Sequence, residues 1–119
     1  MQASPPRALV VDDDAALRML SRVNLELEGF LVDEASTVDE TEAAVRAHRP
    51  DVVLLDVHLA GQETHSLLAR LRADGIPVAL DTGAADAGRF RETADEVLTK
   101  PFLPQRLVEI ARLLARVEA

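Results

Sequence analysis

The segment LVVDDD, residues 9–14, passes directly from a short apolar run into three consecutive carboxylates. Two later segments have the same form: VVLLD at residues 52–56 ends in an aspartate, and VLTKP at residues 97–101 ends in a lysine and a proline. Apolar, β-branched runs of this length are typical of buried parallel strands. In an open α/β sheet the ligand lies beyond the carboxyl ends of the strands. We therefore expect several carboxylates and one lysine to meet at one edge of a sheet.

A cluster of acids at such an edge indicates a positively charged ligand. Two carboxylates about 4 Å apart repel each other by roughly 4 kcal/mol at an effective dielectric constant near 20. A divalent cation together with a phosphoryl group would account for the cluster. Taken singly, each segment has a structural alternative: Asp13 or Asp14 caps one helix, Asp56 caps the next, and Lys100 is solvated before a turn. The three segments together favour the ligand site, because three separate strand ends carry the matching charges.

Length and composition limit the classes of function. The 119 residues, 48% of them hydrophobic, suffice for one core, so residues 1–119 are predicted to form one domain. The net charge of −8 opposes binding to nucleic acid, and no basic run favours it. The absence of cysteine excludes disulfides and cysteine-ligated zinc. No signal peptide or membrane-spanning stretch is recognisable, so we expect a cytoplasmic protein with neither membrane nor nucleic acid as a partner.

Strand and helix patterns alternate along the chain. Strands are predicted at residues 8–11, 30–32, 52–55, 77–80 and 96–98, and helices at 15–28, 38–47 and about 64–72, with a last helix from Pro104. The first and last helices each have an apolar row at steps of three and four residues, and the row of the last helix forms a clear amphipathic face. The rows are Leu17, Leu20, Val23 and Leu27 in the first helix, and Leu107, Ile110, Leu114 and Val117 in the last. The alternation predicts a parallel sheet with helices on both faces.

Four motifs resemble those of the receiver domain of two-component response regulators. They are LVVDDD at residues 9–14, VLLDVHLAG at residues 53–61, LDTG at residues 80–83 and KPF at residues 100–102. The resemblance extends over nearly the whole chain, from about Arg7 to Val117. It implies a flavodoxin-like α/β fold, in which a doubly wound, five-stranded parallel sheet has the strand order 2-1-3-4-5.

The resemblance also implies phosphoryl-transfer chemistry. Asp56 would be the phosphoacceptor, a nucleophile that takes a phosphoryl group from a histidine kinase or a phosphotransfer protein. Mg²⁺ would be the cofactor, since it prefers oxygen ligands: Asp13 and Asp56 would bind it directly, with the backbone carbonyl of His58 as a further ligand, and Asp12 would act directly or through water. Such a protein is not an enzyme acting on another substrate, because it catalyses only its own phosphorylation and dephosphorylation.

Two further residues would complete the switch in such a receiver. Lys100 would neutralise one phosphoryl oxygen, and the Thr82 hydroxyl would hydrogen-bond another. The movement of Thr82 would be the first step of the change that a downstream protein partner recognises. We accordingly predict a stand-alone response regulator receiver that switches protein–protein interactions.

The chain departs from the family pattern at several positions. Ala60 replaces the usual proline after the loop leucine, Thr64 replaces a loop glycine, and Val97 replaces the usual tyrosine or phenylalanine. Because Val97 has no ring to rotate, we expect the switch to run through residues 82–86 instead. Asp81 is a carboxylate inside an apolar strand. It has three open interpretations: it reaches the strand edge, it pairs with an arginine such as Arg89 or Arg91, or it faces a cavity.

The spacing between the switch threonine and the lysine is short. Thr82 and Lys100 are 18 positions apart (100 − 82), about one helical turn less than the family pattern. The fourth helix, between the fourth and fifth strands, should therefore be shortened or irregular. In this respect the chain is partly similar to a subgroup of single-domain receivers that has a Phe-Ala-Thr-Gly motif.

Two rival functions remain open at the level of sequence. The first is a degenerate receiver, which works as a phosphorylation-independent interaction module. Asp12, Asp13, Asp56, Thr82 and Lys100 argue against it, because a module without phosphoryl chemistry does not need them. The second is a small Mg²⁺-dependent phosphohydrolase of the aspartyl-phosphate kind. It is disfavoured because His58 stands where such enzymes place a second acid.

Overall fold

Five parallel strands form one sheet, with helices on both of its faces. The computed structural model describes residues 4–83 and 87–117. The strands are β1 (Arg7–Val11), β2 (Leu31–Ala35), β3 (Val52–Asp56), β4 (Val78–Gly83) and β5 (Glu96–Lys100). The helices are α1 (Ala15–Leu27), α2 (Val38–Ala47), α3 (His65–Ala73) and α4 (Pro104–Leu114).

The order of the strands in the sheet is β2-β1-β3-β4-β5, and every neighbouring pair is parallel. This confirms the predicted flavodoxin-like fold and the order 2-1-3-4-5. Strands β2 to β5 run one to three residues past their predicted ends. As a consequence, Asp81, Thr82 and Lys100 lie within strands and not in the loops that follow them.

The core has two parts, one on each face of the sheet. Alternate residues of β1 point to opposite faces, so Leu9 belongs to one cluster and Val10 to the other. Helices α2 and α3 cover the first cluster, while α1 and α4 cover the second. The predicted apolar row of α4 is confirmed, because Leu107 and Ile110 are buried there and the remaining two members pack against the same cluster.

The apolar row of α1 does not mark the face that the helix buries. Leu20, Val23 and Leu27 are 48%, 39% and 78% exposed. The helix instead buries Ser21 and Leu25.

The face that α1 buries is partly polar. Ser21 is buried, and the half-buried side chains of Arg18 and Arg22 pair with Glu34 of β2. The stems of long charged side chains cover apolar surface while their charged ends reach a partner. A pattern of apolar residues alone assigns serine and arginine to the solvent side, which explains why the apolar row does not mark the buried face.

Two connections at the carboxyl edge differ from simple loops. After β3, residues His58–Leu59 pair with Gln62–Glu63 in a two-stranded antiparallel hairpin, whose turn has Ala60 at φ 51° and Gly61 at φ 80°. Between β4 and β5 the described residues contain one 3₁₀ helix, Ala87–Phe90. This confirms the predicted shortening of the fourth helix. Residues 84–86 of the predicted switch segment lie outside the described residues.

The longest described helix, α1, has 13 residues. A membrane span needs about 20 predominantly apolar residues. In the described part of the chain, no helix is both long and apolar enough to cross a membrane.

Candidate functional site

Asp12 lies at the carboxyl end of β1 and is almost completely buried. Its Oδ1 accepts a hydrogen bond of 2.9 Å from the Asp14 N–H, and its carbonyl accepts one of 2.7 Å from Arg18 Nη1. Burial raises the pKa of the Asp12 carboxyl, and the nearby charges of Asp56 and Asp13 raise it further. The Asp14 N–H and Lys100 oppose this increase. A cation beside Asp12 would relieve the cost of burying its charge.

Asp13 and Asp14 have different tasks, although they are adjacent. Asp14 caps α1, since its Oδ1 accepts from the N–H groups of Ala16 and Leu17 at 3.0 and 3.2 Å. Asp13 does not cap the helix. Its exposed carboxylate reaches across to the hairpin, where Oδ2 accepts the Ala60 N–H at 3.0 Å. The capping alternative therefore holds for Asp14, and Asp13 keeps one oxygen directed at the site.

Asp56 ends β3 and is held from two sides. Its Oδ1 accepts the His58 N–H at 3.1 Å, and its Oδ2 is 3.2 Å from Lys100 Nζ. The buried Thr64 hydroxyl binds the carbonyls of Asp56 and Val57 at 2.8 and 3.0 Å. Asp56 is thus not a helix cap, and Thr64, which replaces a family glycine, braces the backbone behind it. The sequence contained no signal for this brace.

Lys100 is the last residue of β5 and lies among three carboxylates. Besides the 3.2 Å contact with Asp56, its Nζ lies 3.4 Å from Asp81 Oδ1 and 3.9 Å from Asp12 Oδ2. Burial alone would lower the pKa of the Lys100 ammonium. The charges of Asp81, Asp56 and Asp12 outweigh burial and raise that pKa above its usual value.

Asp81 joins this site from β4, where it is paired in register with Asp56. Of its three open interpretations, the structure shows the first: the carboxyl reaches the strand edge, where it meets Lys100. Its side chain is only 8% exposed, and burial raises the pKa of Asp81 to about 7 despite the lysine. At 3.4 Å the two groups form an ion pair, but the angles do not make a hydrogen bond, so Asp81 Oδ1 lacks one.

The remaining candidates lie at the same edge without a direct contact to Asp56 through their side chains. Thr82 is buried and is paired in register with Thr99 of β5. Within the described residues, no hydrogen bond joins its hydroxyl to Asp56 or Lys100. His58 contributes its N–H to Asp56, while its side chain is exposed. Val97 packs against the core, so no aromatic ring lies at that position.

Three carboxylates at this edge have the arrangement of a cation site. Asp12, Asp13 and Asp56 each offer one oxygen, and these oxygens all lie within 4.8 Å of one another. Oxygens on opposite sides of an octahedral Mg²⁺ are about 4.2 Å apart, because each lies about 2.1 Å from the ion. A small side-chain movement would therefore bring all three onto one ion. The donor set, which is made of oxygen alone, fits Mg²⁺.

The family model for the response regulator receiver domain matches residues 8–112 of this chain. The DNA-binding response regulator MtrA of Mycobacterium tuberculosis is 41% identical over 98% of this chain and 53% of its own length. The phosphate regulon transcriptional regulatory protein PhoB of Pseudomonas aeruginosa is 35% identical over 90% of this chain and 49% of its own length. The chain thus spans about half the length of the curated relatives that it matches.

Solved structures show the same architecture. The receiver domain of NtrX from Brucella abortus superposes with a TM-score of 0.84 at 28% identity, covering 93% of this chain and 99% of that one. A CheY-like response regulator receiver domain protein from Methanospirillum hungatei JF-1 also gives a TM-score of 0.84 at 28% identity, covering 95% of both chains.

Proposed function

This chain belongs to the family of response regulator receiver domains, and on that basis we propose that it accepts a phosphoryl group on Asp56 in a Mg²⁺-dependent reaction. The observation that carries the proposal is the placement of the Asp56 carboxylate. One of its oxygens is 3.2 Å from Lys100 Nζ, and it shares a cluster of oxygens within 4.8 Å with Asp12 and Asp13. A cation and an ammonium group on the same carboxylate suit a nucleophile that must receive an anionic group.

In the proposed reaction, a carboxylate oxygen of Asp56 forms a bond to the phosphorus of a phosphohistidine. The phosphorus–nitrogen bond breaks, and the leaving imidazole takes up a proton. Asp12, Asp13 and Asp56 would hold Mg²⁺, with the backbone carbonyl of His58 as a further candidate ligand, and the ion would offset part of the negative charge of the carboxylates and the phosphoryl group. The His58 N–H orients Asp56 through Oδ1, and the Thr64 hydroxyl holds the backbone at this point.

Lys100 and Thr82 are the proposed residues of the switch. Lys100 would leave Asp56 Oδ2 for a phosphoryl oxygen, which needs only a short movement from its contact at 3.2 Å. Thr82 would turn its hydroxyl to a second phosphoryl oxygen. Since Thr82 is paired in register with Thr99, its movement would reach β5 and the connection before it.

The proposed partners are proteins. A histidine kinase or a phosphotransfer protein would supply the phosphoryl group in the cytoplasm, and a downstream protein would recognise the phosphorylated form. We propose that the receiver works as a stand-alone unit, whereas MtrA is named a DNA-binding regulator and is about twice as long. An immunoblot of the native protein tests this: a band at 12.9 kDa supports a stand-alone receiver, and a band near twice that mass overturns it.

Phosphorylation by acetyl phosphate tests the reaction itself. Wild-type protein with Mg²⁺ should gain one phosphoryl group, as measured by intact-mass spectrometry, and should gain none when EDTA removes the cation. Asp56→Asn should abolish the labelling, because the amide is not a nucleophile. Asp39→Asn is the matched control, since Asp39 is exposed on α2.

The same assay separates the rival functions. Labelling of Asp56→Asn at the wild-type rate would contradict the assignment of Asp56. A wild-type protein that takes no phosphoryl group and binds partners equally well with and without acetyl phosphate would be a degenerate receiver. Repeated turnover of an added phosphate ester would instead identify a phosphohydrolase.

A further inference from the structure

Asp81 is a charged group that the proposed reaction does not use. It is the fourth carboxylate at this edge, and it does not belong to the cluster of Asp12, Asp13 and Asp56. Its side chain is 92% buried, and among the described residues its Oδ1 has no hydrogen-bond partner. An ionised group in such a place is costly unless it has a specific partner, and the partner that the structure provides is Lys100 at 3.4 Å.

Lys100 interacts both with carboxylates of the cluster and with Asp81. Its Nζ contacts Asp56 Oδ2 at 3.2 Å and lies 3.9 Å from Asp12 Oδ2, so it competes with a cation for the carboxylates of the cluster. Asp81 approaches the same ammonium from β4, outside the cluster. An anion on that side draws the ammonium away from the oxygens that a cation needs.

We propose that Asp81 is a positioning residue that shares Lys100 with Asp56: its charge draws the ammonium partly toward β4, which weakens the hold of the lysine on Asp56 against a cation and makes the incoming phosphoryl group compete with Asp81 for the lysine. The inference rests on the proposed function, because it concerns the same nucleophile. It has two consequences of opposite sign: Asp81 strengthens the binding of Mg²⁺ to the unphosphorylated protein, and it slows the uptake of the phosphoryl group.

Because Asp81 is expected to affect Mg²⁺ binding and phosphoryl uptake in opposite directions, the two measurements distinguish a positioning role from a merely structural one. A substitution that merely disturbs the site weakens cation binding and phosphorylation together. Removal of the Asp81 charge instead strengthens the existing contact of the ammonium with Asp56, which weakens cation binding, and it also frees the ammonium for a phosphoryl oxygen at saturating Mg²⁺. It further removes one negative charge that repels the phosphoryl donor.

Asp81→Asn tests the proposal, because asparagine has nearly the same shape without the charge. We expect the Kd for Mg²⁺, measured by calorimetry on unphosphorylated protein at pH 8, to rise about fivefold or more, since Lys100 then competes for Asp56. With saturating Mg²⁺, labelling by acetyl phosphate should become several-fold faster. Glu96→Gln on β5 is the matched control: it removes one charge at the other end of β5 and should change neither quantity.

A second variant and a second background keep the test decisive. Asp81→Leu replaces Asp81→Asn as the test if the asparagine amide binds Lys100 or if Asp81→Asn folds poorly. It should show the same two changes. In a Lys100→Met background, Asp81→Asn should lose most of its effect on the Kd for Mg²⁺, because the lysine that Asp81 holds is gone. An undiminished effect in that background would show that Asp81 acts directly by its charge, and the positioning role would be wrong.

The outcomes also separate this inference from the proposed function. If wild-type protein is never labelled, the proposed function fails, while the calorimetric arm still tests Asp81. If labelling occurs but Asp81→Asn weakens both cation binding and labelling, or changes neither, the inference is overturned and the proposed function stands.

Discussion

At the scale of single residues, the site buries ionisable groups whose charged forms are more stable in water. Asp12, Asp56 and Asp81 are buried acids, and Lys100 is the cation that the structure places among them. A site built to bind ligands through charge has to bury charge before the ligand arrives, and that cost lowers stability. The residues of the proposed phosphoryl site are therefore also the ones at which stability should depend on pH and on substitution.

Asp81 should make the protein less stable as the pH rises. Its pKa is raised from the usual 3.8 to about 7 in the folded state, so between these values the folded protein binds more protons than the unfolded chain. The free energy of unfolding contributed by this group should therefore fall from about pH 4 to about pH 7 and stay level above. Without divalent cations, Asp81→Asn should gain stability relative to wild type across this range, by an amount on the order of a few kcal/mol.

Urea unfolding in EDTA at several pH values measures this difference. Subtracting the two curves removes the contribution of Asp12, whose pKa is also raised but which both proteins contain. Parallel curves for the two proteins between pH 4 and pH 8 would mean that the Asp81 carboxyl titrates normally.

Substitution of Ala60 by glycine and by proline should have different effects on stability. It has φ 51°, a left-handed conformation that costs a residue with a Cβ about 1 kcal/mol, and its N–H donates to Asp13. Ala60→Gly keeps the N–H and relieves the strain, so stability should hold or rise by up to about 1 kcal/mol. Ala60→Pro removes the donor and cannot adopt this φ, so it should destabilise by about 2 kcal/mol or more.

Thermal melting of both variants tests the hairpin. Gly61→Ala is the reciprocal control, because Gly61 has φ 80° and a Cβ there should destabilise. Equal melting temperatures for Ala60→Pro and wild type would show that the hairpin does not have this conformation in solution.

At the scale of elements, the sequence located each helix but did not orient all of them. Propensity, caps and the period of the apolar residues lie within one helix, and Asp14 and Thr37 cap α1 and α2 through local hydrogen bonds. The face that a helix buries depends on the surface opposite it. In α1 that surface accepts Ser21 and Leu25 together with the stems of two arginines that pair with Glu34.

Truncation to alanine should lower the unfolding free energy by very different amounts at two leucines of α1. Leu25 is fully buried, so Leu25→Ala should cost about 2 to 5 kcal/mol of unfolding free energy through the cavity that it leaves. Leu27→Ala makes the same chemical change at a residue that is 78% exposed, and it should cost no more than about 0.5 kcal/mol. Chemical denaturation measures both values. A larger loss for Leu27→Ala than for Leu25→Ala would show that the apolar row marks the buried face.

At the scale of the whole molecule, the question is how a change at Asp56 reaches a partner. Val97 packs against the core with no ring to rotate, so the aromatic route is missing. Between β4 and β5 the described connection is a single 3₁₀ helix, tied by hydrogen bonds from the Thr93 and Ala94 N–H groups to the Phe90 carbonyl. In the described residues, a single 3₁₀ turn stands here in place of a full helix, and a connection of this kind belongs to the low-stability end of a fold.

Phosphorylation should therefore change amide exchange in residues 87–94. We expect a several-fold change in exchange rate there, because Thr82 at the end of β4 would move to the phosphoryl group and displace the segment that follows. Amides of β1 provide the internal control, since its residues Ala8 to Val11 are buried. In Thr82→Ala, phosphorylation should still occur without the change in exchange. Identical exchange of residues 87–94 in both states of the wild type would contradict this route.

The sequence by itself determined the strands and the helices, which depend on neighbours in the chain: apolar runs that end in charge and periods of two and 3.6. The strand order followed from the resemblance to receiver domains, and so did the shortened connection before β5, through the 18 positions between Thr82 and Lys100. The position of Asp12, Asp13, Asp56 and Lys100 at one edge followed from topology, because the carboxyl ends of parallel strands meet there.

Only the tertiary structure decided which groups touch across that edge. Asp81 meets Lys100 because the register of β3, β4 and β5 brings them together, and Ala60 reaches Asp13 across 47 positions of sequence. The buried face of α1 was likewise decided by the sheet beneath it. Such contacts depend on register, side-chain direction and the shape of the facing surface, none of which a local pattern of residues contains.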